Sequence, residues 1–353
     1  MKPTAISLFS GAGGLDLGFE RAGFEIRLCV DIDLYCCKTL SLNRPAWNVV
    51  QADISRLSTS EILRLAGLSE GFTVLTGGPP CQPFSTIGNR KALEDPRGAL
   101  VREFIRVVDE SRPRAFVFEN VPGLTSVNQG KVLKDILESF REIGYLTNQK
   151  VLNAADYGVP QTRKRLFILG SREGLWLEFP RPDYSQDGLA GKRWVTVGDA
   201  FRKMVQDGWD FKRRDNFGFH HTKEMMKKMA LIKPGENFWS LPIHLRPPCW
   251  RNGKHLGKDT FGRIEMDKPG PTIRTCAYNP TKGKYIHPKE NRGLNTLEMA
   301  ALQTFPKNYT FSGGLIAVGR QIGDAVPPLL SYVIASHVLK QLKRPTQQVL
   351  VGY

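Results

Sequence analysis

Short apolar runs alternate with amphipathic stretches through the first half of the chain. Ala5-Ile6-Ser7-Leu8-Phe9 is continuous enough in apolar character for a buried strand. Leu15, Phe19 and Ala22 then fall on one helical face. The alternation repeats. Strand patterns at 25–30, 48–52, 72–75, 114–118, 145–153 and 163–169 are separated by helical ones. Those helices start at Leu34, run from Leu100 to Glu110, and run from Val127 to Ile143. The last carries Val132, Leu133, Ile136, Leu137 and Phe140 on one face. Strands alternating with helices predict an α/β fold on a doubly wound, mostly parallel sheet.

The pattern breaks at Ser171. Residues 171–292 are irregular and rich in Pro, Gly, Trp and basic side chains. A helix over Met225–Ile232 and short strands at 262–265 and 271–274 are expected within them. Regularity returns at Arg292, with a helix stopped by Pro306 and a terminal helix over 329–342. The expected organisation is a catalytic and cofactor-binding domain over 1–178, an inserted domain over 179–292, and a return to the first domain over 293–353.

Charge sharpens this division. The 353 residues carry a net charge of +16, which suggests a polyanionic partner. Residues 171–292 hold 24 Lys and Arg against 14 Asp and Glu, a balance of +10. Basic residues mixed with Trp239, Trp250, Phe261 and Tyr278 suit a nucleic-acid surface. The six cysteines form no Cys-x-x-Cys pair and the histidines do not cluster, so no metal site is expected. The N-terminus has no signal-peptide pattern and no run of ~18 apolar residues is apparent. A cytoplasmic or nucleoid-associated protein without a membrane span is expected.

The reactive side chains sit where strands end. Phe9-Ser10-Gly11-Ala12-Gly13-Gly14 is a tight turn between the first strand and helix, where glycines let a ligand approach the backbone. Its Gly-x-Gly-Gly spacing departs from the dinucleotide fingerprint and favours a ligand without phosphate. Asp31 closes the second strand, where a carboxylate can accept ribose hydroxyls; Asp33 is better placed as a helix N-cap. Asp53 and Ile54 follow the third strand, and Asp53 would suit an N-cap as well. Thr76-Gly77-Gly78-Pro79-Pro80-Cys81-Gln82-Pro83-Phe84-Ser85 presents one thiol on a proline-stiffened loop at the end of the fourth strand. Such a cysteine is well placed as a nucleophile, although free cysteines are often just small buried hydrophobes. A long polar loop runs on to Gly98. Glu119-Asn120 ends the fifth strand. Gln161, Arg163 and Arg165 alternate, so they should share one strand face.

In these motifs, and in their order, the chain resembles the cytosine-C5 DNA methyltransferases. Pro80-Cys81-Gln82 stands where that family has its nucleophile motif, and the resemblance covers roughly 4–170 and 292–340. It implies catalysis by Cys81, Glu119, Arg163 and Arg165. It implies an S-adenosyl-L-methionine site drawn from Phe9, Gly11, Gly13, Gly14, Leu15, Asp31, Ile32, Asp53, Ile54, Pro80, Leu100, Asp324 and Val326. DNA contacts would come from Ser85, Arg97 and Arg274, with the loop after Cys81 closing over DNA. Asp31 stands where the family usually has Glu, and Asp324 where it more often has Asn.

The implied reaction begins with thiolate attack at cytosine C6, which makes C5 nucleophilic. A protonated Glu119 would serve N3, and an arginine the O2 edge; Arg163 and Arg165 are both candidates. The base must leave the duplex stack to react. The expectation is therefore methylation of cytosine C5 in a specific short double-stranded DNA sequence, by a monomer, with a cognate restriction endonuclease acting separately. The rivals are a transfer-RNA methyltransferase of similar motifs, a non-catalytic DNA-binding relative, and a nicotinamide dehydrogenase. The intact Cys81, Glu119 and arginines disfavour the second, and the missing fingerprint glycine disfavours the third.

Overall fold

The computed structural model describes residues 2–69, 71–80, 98–246, 248–251 and 260–343, without the side chain of Cys249. The chain forms two compact units. One comprises residues 1–153, 164–181 and 328–353; the other comprises 154–163 and 182–327. The first unit holds strands β1 (Thr4–Leu8), β2 (Glu25–Asp31), β3 (Val49–Gln51), β4 (Val74–Gly77), β5 (Ala115–Asn120), β6 (Leu146–Asn153) and β7 (Lys164–Ser171). The second holds β8 (Tyr184–Ser185) and β9 (Lys192–Arg193). Helices α1 (Gly14–Ala22), α2 (Leu34–Asn43), α3 (Thr59–Leu65), α4 (Ala99–Ser111) and α5 (Lys131–Glu142) belong to the first unit. Helices α6 (Val197–Gln206), α7 (Lys223–Ala230), α8 (Pro248–Arg251), α9 (Thr296–Leu302) and α10 (Leu315–Asp324) belong to the second, and α11 (Pro328–Leu342) returns to the first.

The seven strands of the first unit form one sheet in the order β3-β2-β1-β4-β5-β7-β6. All neighbours are parallel except β7, which runs antiparallel to β5 and β6. The strand order reverses between β1 and β4, and the crevice beyond their carboxyl ends is where such sheets bind ligands. Leu8 pairs with Gly77, so the turn after β1 and the loop after β4 leave the sheet side by side. β5 is buried along its whole length. Its Phe116 and Phe118 pack with Phe104 of α4 and Phe140 of α5 in an aromatic cluster at one face of the sheet. At α1, Gly18 has no room for a Cβ, which would lie 2.3 Å from Ser331 Oγ. That absence lets α11 lie against α1, and the Ser331 hydroxyl donates to Leu15 O at 2.6 Å.

Several expectations are revised. The helix expected from Val127 starts at Lys131, because Asn128 and Gln129 adopt φ of 49° and 56°. Gln161 and Arg163 do not share a strand with Arg165, since β7 begins at Lys164. Gln161 instead bridges to Gly270 within the second unit. Residues 262–265 and 271–274 form no strands; isolated bridges at Arg263 and Gly270 are what remains of that ladder. Residues 293–327 pack with the inserted segment, and only α11 rejoins the sheet unit. Helical periodicity marked α9 correctly as a helix but carries no information about which core it joins.

Trp250, Phe261 and Tyr278 are buried, so they are core and not a nucleic-acid surface. With half-buried Trp239 alongside, Trp250 and Phe261 join Met229, Ile232, Phe238, Leu241 and Ile286 in the second unit's own core. The run Leu315–Leu342 does contain an 18-residue window apolar enough for a membrane, with mean hydropathy 1.3. It is 61% buried and is interrupted between α10 and α11, and neither helix alone reaches that length.

Candidate active site

The turn after β1 is held by positive φ. Phe9, Gly11 and Gly13 lie at 54°, 52° and 79°. The glycines take that conformation freely, whereas Phe9 takes it at a cost, as residues beside ligand sites often do. Gly11 N–H donates to Asp31 Oδ2 at 2.7 Å, and Asp33 N–H donates to Asp31 Oδ1 at 2.8 Å. Asp31 therefore ties the turn to the end of β2 while each oxygen keeps a further lone pair. Burial pushes its carboxyl above the usual range, and the two backbone donors oppose that rise. Beside it, Ile32 is 67% exposed, an apolar face offered to solvent. A half-buried carboxylate with spare acceptor capacity, next to an apolar side chain and an open glycine turn, fits a ribose and a flat base. Asp33 caps α2 through Tyr35 N and Cys36 N, as its position suggested.

The other expected cofactor residues divide. Asp53 accepts from Ser55 N–H and Oγ, which holds its carboxyl below the usual range; it caps a short turn and is half-buried. Ile54 is 4% exposed and sits in the main core, so Ile32 and not Ile54 offers the open apolar face. Gly14 and Leu15 open α1 and are buried, Leu100 is half-buried in α4, and Pro80 is exposed. Asp324 and Val326 belong to the second unit, with Asp324 exposed and Val326 buried.

Opposite the glycine turn, β4 and β5 bring Gly78 against Glu119. A Cβ on Gly78 would lie 2.7 Å from Glu119 Oε2, so only glycine leaves the carboxyl its place. Arg165 Nε meets Glu119 Oε1 at 3.0 Å, and its Nη1 donates to Lys164 O. Both side chains are largely shielded, at 15% and 11% exposure, so this pair is worth more than a surface ion pair. Antiparallel β7 explains the meeting, because it returns Arg165 to the end of the sheet where Glu119 sits. Asn120 Nδ2 donates to Pro79 O at 3.0 Å and anchors the start of the cysteine loop. Cys81, Ser85 and Arg97 themselves lie outside the described residues.

The remaining thiols of the first unit do not compete for the nucleophile's role. Cys29, Cys36 and Cys37 are buried, and burial pushes Cys29 well up and Cys37 to about 12. No metal-binding group of His, Cys, Asp and Glu occurs among the described residues.

Arg163 separates from Arg165. Its side chain is fully buried in the second unit, where Nη1 donates to Ile273 O and Nη2 to Gly323 O, both at 2.8 Å. Arg274 is exposed and lines a groove of about 350 Å³ with Thr272, Lys268, Lys284 and Tyr285. Sequence reading missed two features. Asp16 is a fully buried carboxylate under the glycine turn with neither oxygen hydrogen-bonded. Gln303 is buried and bonded to three residues, Gln161, Ile322 and Ala325. An Asp in the apolar face of α1 was the one signal available for the first.

A seven-stranded, mostly parallel sheet with an antiparallel β7, a glycine turn at the strand-order reversal and a carboxylate–arginine pair beyond the next strand define a methyltransferase-fold enzyme. The family model for C-5 cytosine-specific DNA methylases matches residues 4–340, and the chain belongs to that family. It is 40% identical over 344 residues to the type II methyltransferase M1.HphI of Haemophilus parahaemolyticus, covering 96% of this chain and 87% of that one. It is 34% identical over 352 residues to the type II methyltransferase M.PspPI of a Psychrobacter species, covering 98% and 80%. A solved structure from Escherichia coli, described as a prophage-encoded DNA modification methyltransferase, superposes with a TM-score of 0.75 at 25% identity. It covers 97% of this chain and all of that one. The protein is thus a cytosine-C5 DNA methyltransferase, which favours DNA over the transfer-RNA alternative.

Proposed function

We propose that the protein transfers a methyl group from S-adenosyl-L-methionine to C5 of a cytosine turned out of a specific short duplex sequence. The observation that carries this reading is the shielded Glu119–Arg165 pair set against Gly78, three residues before Cys81. The type II relatives support a role as the modification partner of a restriction endonuclease.

The Cys81 thiolate adds to C6, and electron density moves toward C5 and N3. Glu119, as the protonated acid, delivers a proton or hydrogen bond to N3. Arg165 orients Glu119 through Nε and has Nη2 left to stabilise charge at O2. Arg163 donates to two backbone carbonyls, which supports Arg165 in the O2 role. The cofactor supplies an electrophilic methyl group and leaves as S-adenosyl-L-homocysteine. Asp31 accepts its ribose hydroxyls, and Ile32 covers its base. A base then takes the C5 proton, N3 returns any proton to Glu119, and C6 expels the Cys81 thiolate, which restores the aromatic ring. Arg274 and the basic residues around it hold the DNA.

A duplex carrying 5-fluorocytosine at the target should trap the protein covalently, because fluorine cannot leave as the C5 proton does. Cys81→Ser should abolish trapping and turnover while leaving DNA binding in place. Methylation of ordinary DNA without any trapping would rule out the adduct.

A further inference from the structure

We infer that Asp16 matches the charge of the cofactor. It holds a proton in the empty enzyme and gives it up when S-adenosyl-L-methionine, whose sulfur is cationic, occupies the glycine turn above it. The inference rests on the proposed binding of that cofactor at the turn and at Asp31. Asp16 is 0% exposed, and neither of its oxygens has a hydrogen-bond partner. A buried carboxylate without a partner is costly as an anion, so it stays protonated until a positive charge arrives.

The surroundings of Asp16 supply no such charge. Its neighbours are Ser7 of β1, Cys29 and Asp31 of β2, and Glu20 of its own helix. Burial favours its protonated form most, the Ser7 hydroxyl opposes this, and Asp31 and Glu20 add to it. Cys37 of α2 lies close to Cys29, and both thiols are pushed up by burial. Glu20 is itself paired with Arg44 at 2.7 Å, and Arg21 lies over the Tyr332 ring at 4.2 Å. Gly18 meets Ser331 and Gly23 meets Leu339, so Asp16 falls beside the start of α11. The titratable groups of that helix, Tyr332, His337 and Lys340, all come after Ser331.

The sheet sends the cofactor's sulfur across this spot. β1 lies between β2 and β4, and Leu8 pairs with Gly77. A ribose at Asp31 sits at the end of β2, whereas the methyl group must reach a base held by Glu119, at the end of β5. The sulfur that joins them passes over the turn after β1. Space is open there, since nothing lies within 4 Å of a Cβ built on Gly11. An opposite charge at about 4–6 Å favours the ionised form of a carboxyl by roughly tenfold or more. Asp16 then loses its proton to solvent as the donor binds. Methyl transfer turns the sulfonium into a neutral thioether, so Asp16 takes a proton back and the product is held less tightly than the donor.

Calorimetry in two buffers of different ionisation enthalpy counts the protons released on binding. Below about pH 7 the ligands' α-amino group stays charged, because it ordinarily titrates at about 7.7–8.0. At about pH 6.5 the wild type should release roughly half a proton more with S-adenosyl-L-methionine than with S-adenosyl-L-homocysteine. Release of a proton on binding means that affinity rises with pH. The preference for donor over product should therefore grow about fourfold between about pH 5.5 and 7. In Asp16→Asn the extra proton should vanish and the preference should stay flat over that range. Equal proton release for the two ligands in the wild type overturns the inference. So does a difference that survives in Asp16→Asn. If that variant does not fold, the wild-type comparison decides alone. Asp31→Ala separates this from failure of the cofactor assignment. If neither ligand binds the wild type, or Asp31→Ala binds both as well as the wild type does, the assignment is at fault. If Asp31→Ala weakens both ligands and the proton difference is absent, only the role of Asp16 is wrong.

Discussion

At the scale of single residues, this molecule sorts its charged groups by whether water can reach them. Arg163 and Arg165 stand two apart, yet one is fully buried among carbonyls and the other keeps a shielded carboxylate partner. Asp16 is the sharpest case, a carboxyl with no exposure and no hydrogen bond. Burial pushes it up to about 7 from the ordinary 3.8; the nearby Ser7 hydroxyl opposes that rise, and Asp31 and Glu20 add to it. The folded protein then keeps a proton that the unfolded chain loses above pH 4. The stabilisation from that proton is complete below about pH 4 and is lost as pH rises to about 7. Asp16→Asn should remove the dependence, making the ligand-free protein more stable than wild type at pH 8 by up to about 4 kcal/mol. Thermal melts of both proteins between pH 5 and 8 check it; parallel pH profiles would mean that Asp16 does not titrate there.

At the scale of elements, glycines decide which pieces can approach. The contact of α1 with α11 exists because Gly18 lets Ser331 and the Tyr332 backbone come within 2.4 Å of where a Cβ would be. Gly18→Ala would force the helices apart and strain the Ser331 bond to Leu15 O. Overpacking of this kind costs about 1–3 kcal/mol, and denaturant unfolding should register it as a lower midpoint. The glycine turn ahead of α1 is tied to α11 through that same contact, so cofactor binding should weaken with it. The sequence made α1 and its turn legible, since strand, glycines and an apolar helical face lie within twenty residues. It was silent about α6 and α10. α6 sits in a stretch whose composition suggested irregular chain, whereas α10 lies beyond it, between the two helices expected there.

At the scale of the whole molecule, the basic segment and the catalytic motifs are separate in sequence, but the compact units are cut differently. Thr296 exchanges hydrogen bonds with Phe217 and donates to Asp215 O, so α9 is bound to the inserted segment. Replacing residues 182–327 with those of a relative should move the methylated sequence while retaining Cys81 chemistry. Replacing only 182–292 should give a less stable chimera, because Thr296 and Phe311 would face foreign partners in place of Asp215 and Phe217. Bisulfite sequencing reads the site, and melting temperature compares the two. A stable chimera of the larger exchange that still methylates the original sequence would place recognition outside these residues. DNA binding should also weaken steeply with salt, since phosphate contacts release counterions.

The sequence by itself determined the class of fold, the order of the seven strands of its sheet, and the class of chemistry. These are local matters: apolar period, glycine and proline turns, and reactive residues at strand ends within a few positions of the turn that presents them. Only the tertiary structure decided which arginine pairs with Glu119, that Trp250 and Phe261 are core, that Asp16 is stranded without a partner, and that α9 and α10 close around Gln161 and Arg163. Each of those depends on residues far apart in sequence competing for the same buried space. Periodicity can say that a side chain is buried, but not which partner is there to receive it.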